Sequence, residues 1–359
     1  MKTATITFQN TNNYGAALQC YALHKTIISL GADNEVINYV SPYLNHSYSI
    51  GALREKGLIR YCLGIAYAII RSPRNKNFAK FRRFIKLTST YDYKTIGSIE
   101  QRFDLFIAGS DQVWNGGLVG YDKNYFLGFI KESTKKVSYA ASFGFLNIPQ
   151  DKRDWYKKIL SDYKYYNVRE ESGISIIKDL LDVNANLTID PTLLLSRKDW
   201  ESVMALPSVT EPYILVYQLS PSNQLIEVVE KMRLITGYKV IAIPFIMGLY
   251  FKYSSRIKSG PAEWLGLFHQ ADYIITDSFH GTVFSVLFNK RFWACVSQNE
   301  VRITSLLRQL GLEKRLIFSD KNINVDFIED LLYTEIMPKL ELLRKQSLEI
   351  IKSVVYEDK

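Results

Sequence analysis

The chain begins with a short apolar run that gives way to a segment with helical spacing. Residues 3–8 are rich in β-branched and aromatic side chains, and a polar stretch follows at 9–14. Gly15 then precedes residues 16–23, whose apolar side chains recur with the period of a helix. A strand, a glycine-containing loop and a helix in this order predict the start of a doubly wound α/β domain.

This alternation of strand and helix patterns continues to about residue 189 and then starts again. Short apolar runs predict further strands at 35–39, 104–108, 136–141, 165–168, 186–189, 213–217, 239–243, 273–275 and 292–295. Helical periodicity predicts helices at 151–162, 172–181, 223–236, 262–270, 281–289 and 325–356. Between the two sets, residues 196–212 are polar and poorly periodic, which indicates a crossover between domains.

We therefore predict an α/β fold of two doubly wound, Rossmann-like domains that face each other across a cleft. The length of 359 residues suits two domains at roughly 150 residues each. The predicted domains span residues 1–200 and 201–325, and residues 326–359 form a helix that packs back on them. Ligands of parallel sheets bind beyond the carboxyl ends of the strands, so functional residues should lie directly after strands.

The net charge of +9 favours anionic partners, and the charge is unevenly distributed along the chain. Ten Lys and Arg residues fall within 54–86 beside a single acid, Glu55, and apolar residues are interleaved at helical spacing. This pattern is typical of a solvated basic helix pair, and the alternative is a surface that binds anionic lipid headgroups. Nucleic acid is not an expected partner, because the chain has neither zinc-finger spacing nor an RNP-type aromatic motif.

Cysteine and histidine usage indicates a protein of a reducing compartment without a metal centre. Cys20, Cys62 and Cys295 are odd in number and widely spaced, and the four histidines form no metal-ligand pattern. We expect no metal and no cofactor. The first ten residues lack an apolar secretory core, and the longest uncharged apolar stretch, 61–70, is half of the ~20 residues that span a bilayer. We expect a cytoplasmic protein, either soluble or peripheral at the inner face of the plasma membrane.

Polar residues are dense directly after the predicted strand 104–108. Gly109 permits close approach of another group to the backbone. Ser110 and Asp111 can cap the next segment, or they can leave a carboxylate for binding or activating a hydroxylated substrate, and both interpretations stay open. Small residues around Ser142, after the next predicted strand, fit either a ligand contact or a tight structural turn.

Two arginines lie where predicted strands end. Arg169 follows strand 165–168, and an Arg at this position commonly binds carboxylate or phosphate through its planar fork. The alternative is a surface ion pair of Arg169 with Glu170 or Glu171. Arg302 follows the last predicted strand and fits either an anion pocket or a surface position.

The strongest candidate is the segment 276–282, which lies between an apolar strand and a predicted helix. His280 and Gly281 fall at the helix N-terminus, where free N–H groups and the helix dipole attract anions. A histidine there can contact a phosphate or act as a general acid. Because Asp277, Ser278 and a glycine surround His280, a functional role is favoured over the structural role assigned to His24, His46 and His269.

Five motifs, taken in order, resemble the polysaccharide pyruvyl transferase family. They lie at 13–19, 109–115, 168–172, 190–192 and 277–282. The resemblance implies a GT-B-like fold, phosphoenolpyruvate as the donor and a sugar of a cell-surface polysaccharide, such as exopolysaccharide or capsule, as the acceptor. It also implies that His280 and Arg169 face the donor, and that Arg302 stands where some members carry a basic donor-binding residue.

A mechanism follows from this resemblance as a hypothesis. Phosphoenolpyruvate carries about three negative charges, which positive groups would hold by charge-assisted hydrogen bonds. His280 would protonate the methylene carbon, and Asp111 would orient or deprotonate the acceptor. The remaining expected donor-binding residues are Arg169, Arg302, Ser278 and Gly281. The expected acceptor-binding residues are Gly109, Ser110, Gln112, Trp114, Asn115 and Ser142.

Two other functions are compatible with the same residues. A glycosyltransferase with a nucleotide-sugar donor would have the same fold, because a helix N-terminus binds a diphosphate equally well. A non-catalytic carbohydrate- or lipid-binding subunit would keep the fold without consuming phosphoenolpyruvate. If the acceptor is lipid-linked, the basic stretch 54–86 would bring the enzyme to an anionic membrane surface.

Overall fold

A computed structural model describes residues 1–47, 58–244, 252–319 and 327–356. By its internal contacts the chain divides into two compact units. The N-unit comprises Met1–Ile69, Arg82–Leu194 and Leu343–Lys359, and the C-unit comprises Ile70–Phe81 and Leu195–Leu342. Each unit is therefore assembled from separate segments of the chain, whereas the sequence suggested continuous domains.

The N-unit is built on a parallel sheet. Its five strands are β1 (Lys2–Ile6), β2 (Asp33–Tyr39), β3 (Leu87–Tyr91), β4 (Leu105–Ala108) and β5 (Lys136–Ser138). Within the described residues their order is β3-β2-β1-β4-β5, and all neighbouring strands are parallel. Two short parallel strands, β6 (Asn167–Val168) and β7 (Asn186–Leu187), continue beyond β5 through isolated bridges such as Ala141 to Val168.

Helices connect the strands of the N-unit. They are α1 (Tyr14–Ser29), α2 (Pro42–Ser47), α4 (Gly116–Val119), α5 (Arg153–Leu160) and α6 (Glu171–Leu181), while α3 (Leu58–Phe81) is shared between the units. Asn13 caps α1, because its side-chain oxygen accepts the backbone N–H of Ala16 at 3.1 Å. Most of α1 is buried, so this helix is apolar on almost every side.

The C-unit has a second parallel sheet. Its strands are β8 (Tyr213–Gln218), β9 (Lys239–Pro244), β10 (Ser254–Ser255), β11 (Tyr273–Thr276), β12 (Arg291–Val296) and β13 (Leu316–Phe318). In the described part of this unit the order is β10-β9-β8-β11-β12-β13, again fully parallel. The helices are α7 (Arg197–Glu201), α8 (Asn223–Thr236), α9 (Pro261–Gln270), α10 (Phe279–Leu287), α11 (Val301–Leu310) and α12 (Tyr333–Tyr356), the last of which is shared with the N-unit.

The predicted α/β fold with two doubly wound sheets is confirmed. The sequence missed three strands, β3, β10 and β13. In β3 polar and apolar residues are mixed, and β10 and β13 have two and three residues. Such short or mixed segments at or near a sheet edge lack the continuous apolar run by which buried parallel strands are predicted.

Each sheet has a point where the strand order reverses. In the N-unit this switch point lies between β1 and β4, and in the C-unit it lies between β8 and β11. Loops leaving two such strands at their carboxyl ends diverge to opposite faces of the sheet and leave a crevice in which ligands bind. The motifs at 109–115 and 277–282 directly follow β4 and β11, so each lies at the switch point of its own unit.

Some of the cations in the basic stretch 54–86 make contacts within the protein. Residues 54–57 lie outside the described residues, and the stretch continues as α3 and a 3₁₀ turn at Arg82–Phe84. Arg74 is buried over the ring of Phe78 at 4.6 Å, and Arg82 donates to the carbonyl of Gln9 at 3.1 Å. Among the cations of this stretch whose side chains the structure describes, Lys76, Lys80, Arg83 and Lys86 are exposed. Across the described ranges, no helix combines the length and the apolar character needed to cross a membrane.

Candidate functional site

The segment after β4 adopts backbone conformations that few residues tolerate. Gly109 has a φ of 124°, and a Cβ at this position would collide with the carbonyl oxygen of Tyr139. Asp111 also has a positive φ, 75°, and its Oδ1 accepts the N–H of Gln112 at 2.9 Å. Thr7, the residue after β1, donates its hydroxyl to the carbonyl of Ser110 at 2.9 Å, which joins the segments that follow the two strands at the switch point.

Arg169 lies beside three carboxylates inside the N-unit. Its Nη1 donates to Asp190 at 2.8 Å, its Nη2 lies 3.5 Å from Asp111, and its Nε lies 3.9 Å from Glu170. Burial lowers the pKa of Arg169, but Asp190, Asp111 and Glu170 outweigh burial and raise it above the usual value. With 2% of its side chain exposed, the alternative of a surface Arg–Glu pair is wrong. Its predicted donor-binding role stays a prediction.

Glu170 fixes the segment after β5. Its Oε1 accepts the hydroxyl of Ser142 at 2.9 Å and the backbone N–H groups of Phe143 at 2.9 Å and Gly144 at 3.1 Å. The side chain is fully buried, so these donors replace the water that an ionised carboxylate would otherwise bind. Ser142, predicted to bind the acceptor, is therefore held with its hydroxyl toward Glu170.

Asp190 connects Arg169 to two further segments. Its Oδ2 lies 3.4 Å from the hydroxyl oxygen of Ser110, and its Oδ1 accepts the backbone N–H of Thr192 at 3.0 Å. Sequence reasoning assigned no functional role to Asp190, and to Glu170 it assigned only that of an alternative surface ion-pair partner of Arg169. Their signal was available, because both acids follow short strands and belong to the motifs at 168–172 and 190–192.

Three predicted acceptor-binding residues make structural contacts in the N-unit. Asn115 caps α4 by accepting the N–H of Leu118 at 3.2 Å, and it donates to the side-chain oxygen of Gln112 at 3.0 Å. Trp114 is 0% exposed, with its ring 5.3 Å from that of Phe143. The indole is thus a core side chain, and acceptor binding by Trp114, Gln112 and Asn115 stays a prediction.

In the C-unit, Ser278 begins α10 as its N-cap. The Ser278 hydroxyl oxygen accepts the N–H of Gly281 at 3.3 Å, and its carbonyl accepts the hydroxyl of Thr282 at 3.1 Å. A Cβ on Gly281 would collide with the hydroxyl oxygen of Thr276, so a glycine is needed for this helix to start against β11. The predicted helix start at this motif is confirmed, two residues earlier than expected.

His280 occupies the second position of α10. The residue is buried, with 8% of its surface exposed, and its ring packs edge-on against Phe279 at 5.2 Å. Its location in the first turn places the imidazole at the positive end of the helix dipole. This is the position that the sequence predicted, and the role as general acid stays a prediction.

Arg302 is engaged by its neighbour Glu300. The Arg302 Nε and Nη2 donate to the two oxygens of Glu300 at 3.0 and 2.9 Å, and Glu300 also caps α11 by accepting the N–H of Ile303. Burial raises the pKa of Glu300, but the charge of Arg302 and these hydrogen bonds bring it below its usual value. The fork of Arg302 is thus occupied by a carboxylate of its own helix, and donor binding by Arg302 stays a prediction.

Asp277 joins β11 to the segment after β8. Its Oδ1 accepts the N–H of Leu219 at 2.6 Å, and its Oδ2 accepts the N–H of Ser220 at 2.8 Å. Burial raises the pKa of Asp277 to about 6, the two backbone donors oppose this shift, and the charge of Glu300 adds to it. Sequence reasoning noted Asp277 only as a neighbour of His280.

The structure groups the predicted residues into two sets, one in each unit. Gly109, Ser110, Asp111, Ser142 and Arg169 form a contiguous polar network at the carboxyl ends of β4 to β6. Ser278, His280 and Gly281 form the second set at the start of α10. Within the described ranges, no group of three or more His, Cys, Asp and Glu side chains is arranged to hold a metal ion.

The sequence profile of the polysaccharide pyruvyl transferase family matches residues 13–299. The chain belongs to the polysaccharide pyruvyl transferase family. This family membership makes it a transferase acting on polysaccharides. A search of curated protein sequences gives no match.

Solved structures with the same fold include two epimerases. The UDP-GlcNAc 2-epimerase of Neisseria meningitidis, bound to UDP-GlcNAc, has a TM-score of 0.51 and 9% sequence identity, and the alignment covers 99% of this chain and 100% of the epimerase. The UDP-GlcNAc 2-epimerase of Methanocaldococcus jannaschii, in complex with UDP-GlcNAc and UDP, has a TM-score of 0.51 and 11% identity at 99% and 100% coverage. These similarities confirm the predicted GT-B-type fold of this pyruvyl transferase family member.

The residues that the family profile matches include the motifs that form both sets of site residues. The motifs at 109–115, 168–172, 190–192 and 277–282 all fall inside the matched residues 13–299. Arg302 falls outside them. The family membership therefore covers the His280 and Arg169 motifs of this transferase but does not extend to Arg302.

Proposed function

We propose that this transferase moves the pyruvyl group of phosphoenolpyruvate onto two hydroxyls of a sugar in a polysaccharide precursor, forming a pyruvate ketal. The observation that carries the proposal is the N-terminus of α10, where Ser278, His280 and Gly281 lie at the switch point of the C-unit sheet in a member of this family. This is the place in the unit where an anionic small molecule would be expected to bind.

The donor chemistry suits this helix start. Phosphoenolpyruvate carries a phosphate and a carboxylate, and the first turn of a helix offers N–H groups and a positive dipole to such groups. Gly281 allows this helix to start close against β11, since a Cβ there would collide with Thr276. The net charge of +9 favours encounter with an anion, and the positive charge of Arg302 lies at the start of the next helix, α11.

His280 would act as the general acid. In the proposed reaction it gives a proton to the methylene carbon, which becomes the methyl group and leaves an oxocarbenium centre at C2. One sugar hydroxyl oxygen bonds to C2, phosphate leaves with the C2–O bond pair, and a second hydroxyl closes the ketal. The two hydroxyl protons balance the reaction, since one reprotonates His280 and the other leaves with inorganic phosphate.

Asp111 would orient the acceptor. Its carboxylate is held by the N–H of Gln112 and lies 3.5 Å from the guanidinium of Arg169, so the oxygens have a defined direction. Sugar hydroxyls are hydrogen-bond donors, and a carboxylate both accepts from them and can take their proton. The acceptor is a glycan, and a lipid-linked form would be handled by the same groups.

Calorimetric titration and a product assay test this function. Phosphoenolpyruvate should bind, and nucleotide-sugars should not bind with comparable affinity. Phosphate should be released only when a suitable acceptor is present, which a panel of galactose- and mannosamine-containing glycans would reveal. Tight binding of a nucleotide-sugar with no binding of phosphoenolpyruvate would replace the proposal with a glycosyltransferase. Glycan binding without release of phosphate from phosphoenolpyruvate, whichever acceptor is added, would indicate a binding subunit instead.

A further inference from the structure

Asp277 makes the contact that closes the switch point of the C-unit. The carboxylate stands at the end of β11, and both of its oxygens accept backbone N–H groups from the segment that follows β8, at 2.6 and 2.8 Å. Strands β8 and β11 are the pair between which the strand order reverses. Their loops would normally diverge, so a side chain that bridges them determines how wide the crevice is.

The bridge is continuous with the start of α10. Ser278, the next residue, is the N-cap whose hydroxyl accepts the N–H of Gly281, and its own N–H donates to Thr276 at 3.0 Å. A shift of Asp277 would therefore move the first turn of α10, which carries His280. The other end of the bridge, Leu219 and Ser220, directly precedes the segment in which Ser222 caps α8. One carboxylate thus connects the starts of two helices.

The charged groups around Asp277 come from the neighbouring strand and helix. Glu300, the N-cap of α11, disfavours the ionised form of Asp277, and Arg302 neutralises Glu300 in part through its two hydrogen bonds. Cys295 on β12 stays a neutral thiol, because burial raises its pKa well above the usual value and Asp277 adds to the shift. From the segment after β8, the contacts of Asp277 are the backbone N–H groups of Leu219 and Ser220.

We propose that Asp277 is a positioning residue for the donor, whose ionised carboxylate holds the segment after β8 against the start of α10 and releases it on protonation. The inference rests on the proposed function, since the molecule positioned is phosphoenolpyruvate. The ionised form accepts both N–H groups in charge-assisted hydrogen bonds, while the protonated form is a neutral and weaker acceptor, most of all at the oxygen that carries the proton. The protein therefore has a pH-sensitive contact at the point where its donor would bind.

The affinity for phosphoenolpyruvate as a function of pH tests this role. Calorimetry from about pH 5 to about pH 8 would compare wild type with Asp277→Asn, which cannot ionise. The ratio of the two dissociation constants should rise from near unity at about pH 5 to about 10-fold at about pH 7.5, the size of one charge-assisted hydrogen bond. The phosphate of the donor also titrates near pH 6, but its contribution cancels in the ratio.

The chain contains a matched control at the other end of the same strands. Asp272 accepts the backbone N–H of Tyr213 at 3.1 Å, so it makes the same kind of contact between β11 and β8 at their amino ends. For Asp272→Asn, the ratio of the dissociation constants of variant and wild type should not change with pH. A similar rise in Asp272→Asn would show that any loss of a carboxylate in the unit has this effect, and would overturn the proposal.

A second variant covers the case in which Asp277→Asn does not fold. Ser220→Pro deletes the N–H that Asp277 Oδ2 accepts and leaves the carboxylate in place, so the same pH-dependent loss is expected. If Asp277→Asn and Ser220→Pro fold and their dissociation constants relative to wild type do not change with pH, the role of Asp277 is overturned. The proposed function would not be affected by that result. If wild type does not bind phosphoenolpyruvate at any pH, the proposed function fails, and this inference fails with it.

Discussion

Arg169 and Asp190 form an ion pair at 2.8 Å in which neither side chain is exposed by more than 2%. The pair joins the residue after β6 to a residue that follows β7, and Ser110 after β4 lies 3.4 Å from the same carboxylate oxygen. Three loops of the N-unit are therefore fixed by one buried contact. An isolated charge left there would be far more costly than the pair itself, because it would have no water to solvate it.

Asp190→Ala should consequently destabilise the N-unit by up to about 3 kcal/mol, below the full effect of an unpaired buried charge, because Arg169 keeps the more distant Asp111 and Glu170. Equilibrium unfolding in urea measures the change. Asp179→Ala is the control, since Asp179 pairs with Arg153 on the surface of the same unit, and its loss should be within error of wild type. Equal effects of the two substitutions would contradict the importance of burial at Asp190.

His280→Ala should reduce pyruvate incorporation by about 10²–10⁴-fold, the usual contribution of a positioned general acid. The unfolding transition should change little, because the substitution keeps the helix start formed by Ser278 and Gly281. His269→Ala controls for loss of an imidazole, since His269 contacts Arg197 and Glu201 away from the motif. Turnover in His280→Ala close to that of wild type would remove His280 from the mechanism.

The N-unit should lose stability in mild acid through His24. Burial lowers the pKa of His24 to about 4, and Lys86 adds to the shift. The imidazole Nε2 accepts the backbone N–H of Lys86 at 3.1 Å, which requires an unprotonated nitrogen. In the unfolded chain the pKa of His24 is near 6.5, so the unfolded chain binds the proton more readily than the folded protein does. The free energy of unfolding should therefore fall as pH decreases from about 6.5 to about 4, by at most ~3 kcal/mol.

Urea unfolding at several pH values checks this prediction. The difference in unfolding free energy between wild type and His24→Gln should shrink as pH falls through that window, because the glutamine does not titrate. The contribution of Asp277, in the C-unit, to the free energy of unfolding should depend on pH in the opposite direction. Its folded pKa is raised to about 6, so it contributes stability below about pH 4 that is lost as pH rises to about 6. A constant difference for His24→Gln across the range would contradict the assignment.

The sequence predicted most of the fold and the position of one set of site residues. Ser278, His280 and Gly281 could be placed because a strand, a polar turn with glycine and a helix are local patterns, and local patterns are visible in a sequence. The contacts of Glu170 and Asp190 could not be predicted, since their partners Ser142 and Ser110 are distant in the chain. Whether a carboxylate is buried is a tertiary property.

Trp114 and Arg302 illustrate the same distinction. Trp114 was expected to bind the acceptor because it lies in a polar motif, but its exposure depends on Phe143 and Tyr163, which pack against it from other segments. The fork of Arg302 suggested an anion pocket, and the acid that occupies it, Glu300, lies two residues away. In that case the pairing was visible in the sequence, and the helix N-cap position of Glu300 was the missing information.

The alternative interpretation of the basic stretch, a surface that binds anionic lipid headgroups, predicts membrane binding through α3 and the turn after it. Lys76, Lys80 and Arg83 are exposed cations, and Ile69 and Phe84 expose 69% and 53% of their surface. Each cation near anionic headgroups contributes about 1 kcal/mol, so Lys76→Glu with Lys80→Glu should weaken binding to phosphatidylserine vesicles by at least about 10-fold. Vesicle sedimentation at low salt measures the affinity for these vesicles.

The charge-matched control for that experiment is Lys157→Glu with Lys158→Glu. Both lysines are exposed on α5, and the double substitution changes the net charge equally. It should leave vesicle binding near that of wild type. Equal weakening by both pairs would indicate an unspecific effect of net charge, and no binding by wild type would leave the basic stretch as a solvated surface.

The discontinuous make-up of the N-unit has a consequence for how this protein is synthesised. Ser347 accepts the N–H of Ile189 at 3.1 Å, and Arg344 donates to the carbonyl of Leu193 at 2.6 Å, so the final helix completes a unit whose first strand begins at residue 2. A nascent chain stopped after residue 194 would lack these contacts. Residues 1–194 alone should therefore not complete the fold of the N-unit, and synthesis must continue at least through residue 347 before these contacts can form.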